Sequence, residues 1–385
     1  MKSRLLWEIE TSPTLTPKCP IYSLCFKLDQ SQLIVACAND LIFINPKTGQ
    51  IDEVKKIHQA PIRCIRCSSD GVFFASSSID GFVIISRSAN NEPLIKYGST
   101  TSTKTLCWSP SKQMLISCSL QEFHVWQPDE IRAARYKSDQ PIISCSFSPT
   151  GSTFLLSFEN GDVYIYDSSN IPTVLQTYKF STPLTTISYV LLENTEYIIT
   201  TDMGRHVSLF KSADKSLVGK NSLTFEPLSF LFVDGFFVFS GISGRICLLT
   251  SNLSFLGEID TKSDFIWDMA INKTGQLAIA RRDGFVELRT IEFGLLFAHT
   301  GSIVAYRTNA NSIAIKDVLT QQPEHELSFL KIIHSIHMNR NILLIHFKDS
   351  LSLFNFKTYN KICEIPGNFE KCLFALTETS IVFSR

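Results

Sequence analysis

Cys64 and Cys67 form a C-x-x-C pair, the spacing used by zinc sites and redox dithiols. Either use needs both sulfurs on one side of the backbone. The pair lies in PIRCIRCSSD, which reads as a strand, and residues three apart on a strand point to opposite faces. No second C-x-x-C completes four ligands, so core cysteines are expected. The same parity separates His334 from His337 in HSIH, and His346 sits in an apolar strand; no metal is expected. Gly241-Ile242-Ser243-Gly244 falls where a hairpin turn belongs, and turn chemistry accounts for its glycines. Arg281-Arg282 beside Asp283 reads as a solvated hairpin rim, with a contact point as the sharper alternative. There is no G-x-S-x-G elbow, P-loop or H-E-x-x-H, so hydrolase and nucleotide chemistry have no anchor. Neither catalysis nor a cofactor is expected.

Composition narrows the classes further. Lys and Arg total 36, as do Asp and Glu, and a neutral chain has no sequence-independent pull toward phosphate; nucleic acid is not an expected partner. With 44% hydrophobic residues and 29 Phe, a large core can be filled. The 11 cysteines are odd in number and scattered, unlike a secreted disulfide framework. The start MKSRLLWEIETSP is too briefly apolar for a signal peptide, and no uncharged stretch is long enough to span a membrane. A soluble cytoplasmic protein without direct membrane insertion is expected.

The elements that position these residues repeat. Pro20-Ile21, Pro61-Ile62, Pro141-Ile142, Pro183-Leu184 and Pro227-Leu228 open similar segments, with further units near Ser102 and Asp264. The period of roughly 40 residues is that of a four-stranded propeller blade. Within each unit, apolar and polar residues alternate, as in PIISCSFSPTGSTFLLSFENGDVYIYD, and turns such as Asn160-Gly161, Asp80-Gly81 and Asp283-Gly284 separate the strands. The fold class expected is all-β: a seven-bladed propeller over residues 1–300. Leu5, Trp7 and Ile9 stand at every second position and would complete blade seven, closing the ring and hiding its last edge. Residues 301–385 are again strand-like and read as one to two blades of a partial second propeller, whose apolar seam and strand edge await a cover.

Val163-Tyr164-Ile165-Tyr166-Asp167 ends like the Trp-Asp pair that names WD repeats. That resemblance implies a structural hydrogen-bond set of His, Ser or Thr, turn Asp and Trp in each blade. Unit two keeps His58, Ser76 and Asp80, with Ser86 in the Trp position. Unit three has Trp126, but Gln121 and Glu122 occupy the hairpin where Asp belongs. Unit four has Asn160, Tyr166 and Asp167, and unit seven has Asp283.

The segments PIYSLCFKLDQSQLIVACANDLIFIN, FASSSIDGFVII, LISCSLQEFHVWQPDE, SLVGKNSLTFEP and SDFIWDMAINKTGQLAIARRDGFVELRTIEF, then IVAYR, resemble something narrower. They are similar, in order, to the amino-terminal part of the intraflagellar transport protein 122 family, WD-repeat subunits of intraflagellar transport complex A. Trp267 and Ile303–Arg307 match outside any generic repeat consensus. The resemblance implies a scaffold in retrograde ciliary transport and cilium assembly, in the cytoplasm, at the basal body and in the cilium or flagellum. Its implied partners are the other complex A subunits and ciliary membrane-protein cargo adaptors. Relatives of this kind continue through a second propeller into helical repeats; this chain covers only the start of that second ring. The alternative is a WD-repeat adaptor of another pathway, a ubiquitin-ligase substrate receptor or a vesicle-coat subunit. A propeller enzyme would need convergent His, Asp, Glu or metal ligands at the channel mouth.

Overall fold

Both faces of the strands inside each sheet are used, which is why runs such as TFLLSF are apolar almost throughout. In the strand Thr153–Phe158, Phe154, Leu156 and Phe158 pack toward the third repeat, whereas Leu155 packs toward the fifth. The core therefore lies between successive sheets, as a series of apolar layers. A computed structural model describes residues 2–11, 19–128, 133–169, 172–192, 194–233, 235–292, 297–309, 312–320, 325–331, 333–347, 349–355, 357–367, 373–376 and 381–384. Among them there are only strands, and no helix.

Residues 2–253 and 258–291 form one compact unit. Its described strands make four-stranded antiparallel sheets over residues 21–56, 62–98, 103–137, 142–179, 184–222 and 226–260. A further sheet runs in the order Lys2–Glu10, Phe285–Glu292, Gln276–Arg281, Ile266–Ile271. The inner strands are Ile21–Phe26, Ile62–Cys67, Thr103–Trp108, Ile142–Phe147, Leu184–Leu192, Glu226–Val233 and Ile266–Ile271. Each touches the next, and the last touches the first. An all-β chain of four-stranded antiparallel sheets around a closed cycle is the arrangement of a β-propeller.

A bulge recurs at the start of every inner strand. Pairing with the second strand slips between Ile21 and Ser23, Ile62 and Cys64, Thr103 and Thr105, and Ile142 and Ser144. It slips again between Leu184 and Thr186, Pro227 and Ser229, and Ile266 and Asp268. The skipped residues are Tyr22, Arg63, Lys104, Ile143, Thr185, Leu228 and Trp267. A bulge leaves one residue unpaired and re-aims its side chain.

At Asp80-Gly81, Asn160-Gly161 and Asp283-Gly284 the glycines take φ of +80°, +83° and +84°, a region open to glycine at no steric cost. The 241–244 segment differs from expectation. Gly241 and Ile242 belong to the strand Phe236–Ile242, and only Ser243-Gly244 turns. A Cβ on Gly241 would stand 1.9 Å from the Glu226 carbonyl oxygen. Close approach of two backbones, not turn chemistry, accounts for this first glycine.

The strand Lys2–Glu10 is the outermost of its sheet, and Trp7 and Ile9 pack on the apolar layer between that sheet and residues 21–44. The Trp7 indole N–H donates to the Pro46 carbonyl at 2.9 Å, and the Thr11 N–H to Gly284 at 3.1 Å. Leu5 departs from the expected row: it is 37% exposed, because an outermost strand has a neighbouring layer over only part of its length.

Residues 254–257 and 292–385 form the other unit. It holds four-stranded sheets over residues 297–328 and 333–366 and the hairpin Leu373–Leu376 with Ile381–Ser384. Between its two larger sheets, Ile313, Ile336, Leu343, Phe347 and Phe354 are buried together. Phe356 and Phe369 lie outside the described residues.

Candidate functional site

The inner strands enclose a channel of about 1000 Å3. Its described lining carries the cations Lys27, Arg63, Arg66, Lys104 and Lys273 and one carboxylate, Asp268. Asp268 stands just past the bulge of Ile266–Ile271 and gathers donors from three other inner strands. The Ser23 hydroxyl donates to it at 2.7 Å, Arg66 Nη1 at 2.8 Å and the Ser229 hydroxyl at 3.1 Å, and its own neighbour's N–H, Met269, donates at 2.9 Å. A buried carboxylate is tolerated when it is paired and hydrogen-bonded in this way. This hub ties first, second, sixth and seventh sheets at the axis. Its sequence signal is a lone acid inside the apolar strand IWDMAI; its partners, 39 to 245 residues away, leave no local trace.

The residues expected to form the blade hydrogen-bond set are only partly brought together. In the second sheet they meet. His58 Nδ1 lies 3.0 Å from Asp80 Oδ2 and Nε2 lies 3.0 Å from the Ser76 hydroxyl. A carboxylate only accepts, so Nδ1–H donates to Asp80 and the Ser76 hydroxyl donates to Nε2. Ser86 adds nothing: its buried hydroxyl has no hydrogen-bond partner. Burial lowers the His58 pKa below its usual 6.5, outweighing the Asp80 charge. Burial pulls Asp80 upward, but the N–H groups of Gln59 and Phe82, with His58, hold it below the usual carboxylate range.

A pH dependence follows. The unfolded His58 takes up its proton at a higher pH than the folded one, so its stabilising contribution is complete above 6.5 and is lost as the pH falls through the lower folded value. The loss amounts to about 1.4 kcal/mol for each unit of depression. Melting curves between pH 7.5 and 5, each taken as a round value on either side of the roughly 6.5 of free histidine, should fall for the intact protein and flatten for His58→Gln. Parallel profiles for the two would count against a neutral, buried His58.

In the third sheet the roles differ from expectation. Glu122, 2% exposed, takes the place of the missing Asp. It accepts from the Ser99 hydroxyl at 2.5 Å and the Thr100 N–H at 2.7 Å, and pairs with Arg135. Burial opposes its charge, but these partners overcome it and draw the carboxyl down to about 2. Trp126 is fully buried but donates to nothing; it packs edge-on against Phe73 and Trp108. In the fourth sheet Asn160 caps its own hairpin by accepting the Asp162 N–H at 3.0 Å. Tyr166 stacks on Phe154, and Asp167 accepts the Thr173 N–H. None of these three joins a His–Ser chain, because no histidine stands in that repeat to start one.

The hairpin at Arg281-Arg282 is corrected most. Arg281 is 3% exposed, not a solvated rim. It donates to Glu287 at 2.5 Å and Asp283 at 3.0 Å, and pairs with Glu8 on the outermost strand. Glu287 itself is fully buried, and Arg289 donates to its other oxygen at 2.7 Å. Arg282 is half-exposed. Asp283 thus serves Arg281 rather than a histidine.

Cys64 packs among Phe73, Leu106 and Trp108, while Cys67 lies on the layer with Cys25, 3.2 Å from it. Burial pushes the Cys64 thiol up; the hydrogen bond to Cys67 and then burial do the same for Cys25. Raised thiols are poor nucleophiles. His337 Nε2 and His346 Nδ1 both approach the Ser335 hydroxyl, at 3.1 and 3.2 Å, and the His334 side chain lies outside the described residues. Among the described residues, no group of three His, Cys, Asp or Glu is placed to hold a metal ion.

The channel's one described carboxylate, Asp268, is thus occupied in holding sheets together, which suits a rigid platform. Known proteins agree in kind. A family model described as the IFT122 first beta-propeller matches residues 20–290. The intraflagellar transport protein 122 homolog of Mus musculus is 23% identical over 345 residues, 87% of this chain and 29% of its own length. That of Danio rerio is 24% identical over 341 residues, with 87% and 29% covered. That of Homo sapiens is 20% identical over 400 residues, with 87% and 32% covered. The chain therefore spans under a third of these relatives. The matched residues take in the cycle of sheets from its first inner strand to the Arg281 cluster: the chain belongs to the IFT122 first beta-propeller family.

Proposed function

We propose that this chain is a non-enzymatic scaffold of intraflagellar transport complex A type, acting by protein–protein contact in retrograde transport and cilium assembly. Its first unit works as a seven-bladed propeller over about residues 1–300, with the strand of Leu5, Trp7 and Ile9 completing the last blade; residues 301–385 begin a second propeller. The blade hydrogen-bond set and the closing strand have structural roles, and partners bind the loop-bearing faces. These partners are the other complex A subunits and adaptors for ciliary membrane-protein cargo, met in the cytoplasm, at the basal body and in the cilium.

The observation that carries this reading is the family match over residues 20–290, laid on a cycle of sheets whose axial carboxylate, Asp268, is already paired. The relatives' name, intraflagellar transport protein 122 homolog, supplies the process. Tagged protein captured from ciliated cells, with mass spectrometry of what comes with it, tests it. Complex A subunits should dominate. Recovery of ubiquitin-ligase or vesicle-coat subunits in their place would overturn the reading.

A further inference from the structure

The repeated bulge brings one side chain of each inner strand to the same end of the channel. Five of the seven skipped residues line the cavity: Tyr22, Arg63, Lys104, Leu228 and Trp267. None of the seven is acidic. Three of the lining residues take part in a ladder that crosses sheets. The Arg63 guanidinium sits 4.2 Å over the Tyr22 ring, Tyr22 meets Trp267 edge-on at 5.0 Å, and Trp267 lies 4.4 Å from Phe265. Arg282 closes it 5.9 Å over Phe265. An aromatic ring under a guanidinium holds the cation in place by cation–π attraction without neutralising it, as Tyr22 does for Arg63; Arg282 is paired in addition with Asp264 at 3.9 Å.

Two features of this mouth are unspent. Arg63 and Lys104 have no carboxylate partner among the described residues, and Lys104 is exposed. The Trp267 indole N–H is shielded from water and has no acceptor. Arg66, one step deeper, is by contrast already paired with Asp268. The mouth therefore offers uncompensated positive charge, one idle donor and an apolar side, Leu228.

We propose that this mouth binds an extended acidic peptide segment of a partner protein, with carboxylates on Arg63 and Lys104 and apolar side chains against Leu228 and Trp267. A channel of about 1000 Å3 admits a segment rather than a folded domain. A nucleic acid fits less well. The Tyr22 face is already covered by Arg63, which removes a platform for base stacking, and the neutral chain draws no phosphate backbone. The site stands on its own residues and holds whichever complex the chain joins.

Fluorescence anisotropy on the full chain tests it, with a fluorescein-labelled peptide of about ten residues alternating Glu and Leu, and its Gln–Leu counterpart. The acidic peptide should bind, more weakly as salt rises, and the Gln peptide should not. Arg63→Glu with Lys104→Glu should weaken binding at least about tenfold, because like charges then face each other. Arg63→Gln with Lys104→Gln, a gentler change, should weaken it less but in the same direction, with an unchanged melting curve. Lys220→Glu, an exposed position on the outermost strand Leu217–Ser222 and away from the channel lining, should bind as the parent does. The proposal falls if the acidic peptide does not bind, if the Gln peptide binds equally, or if Lys220→Glu costs as much as the mouth variants. It also falls if single-stranded DNA of matched charge displaces the peptide more readily than unlabelled peptide does.

Discussion

Removal of residues 2–10 is expected to lower the melting temperature by roughly 6–15 °C, far more than deletion of an equally long surface loop. Trp7 and Ile9, each partly buried against the layer of Leu33, Ile44 and Val286, contribute roughly 1.5–3 kcal/mol together. The same deletion takes Glu8 from the buried Arg281 and leaves the strand Phe285–Glu292 with a bare edge. The total comes to about 3–5 kcal/mol, a large part of the margin of a domain. Leu5 contributes little to that sum, being exposed, so Leu5→Ser should be nearly silent where Trp7→Ser is not. Differential scanning calorimetry checks both; an unchanged melting temperature on deletion would remove the closing strand from any account of the ring's stability.

Arg281→Met should cost roughly 3 kcal/mol, read as a shift in the denaturant midpoint at constant slope. The substitution fills the space but leaves Glu287 fully buried with only Arg289 on one of its oxygens. Uncompensated buried charge is the expensive outcome; replacing both partners is not. Arg281→Met with Glu287→Leu should therefore recover most of the loss. If the double variant is less stable than the single by a further step, the pair acts through something other than mutual compensation, and Asp283 and Glu8 become the partners to examine.

Much of the fold could be read along the chain because its signals are local. The 40-residue period, the alternation in TFLLSF and the Asp-Gly and Asn-Gly turns each act within a few residues. What escaped is what depends on neighbours in space. Arg281 looked solvated because a doubled arginine beside an aspartate usually is; nothing nearby announced Glu8 at one end of the chain. Glu122 was legible only as an absent aspartate, since its longer side chain reaches Thr100 and Arg135 rather than a histidine. The inner-strand bulges were invisible too, as a register slip has no composition of its own. They can be found in retrospect as an apolar residue, one free position and then a small or polar residue: Ile21-Tyr22-Ser23, Ile62-Arg63-Cys64, Ile266-Trp267-Asp268.

The outermost strand also sets a clock. Glu8 and Arg281 are 273 residues apart, so the ribosome delivers one side of that joint well before the other. At about 5–20 residues per second, Trp7 and Ile9 wait roughly 15–55 s for the strand they must lie beside. Throughout that interval the nascent chain carries the strand of Trp7 and Ile9 unpaired, beside sheets that have layers to stack on but no way to finish. Such a chain cannot mature piecemeal: its last cooperative step comes only after synthesis has passed residue 291. Until then it is exposed to pairing with a neighbouring copy on the same polysome, and a chaperone that shields the first ten or so residues would protect the entire ring.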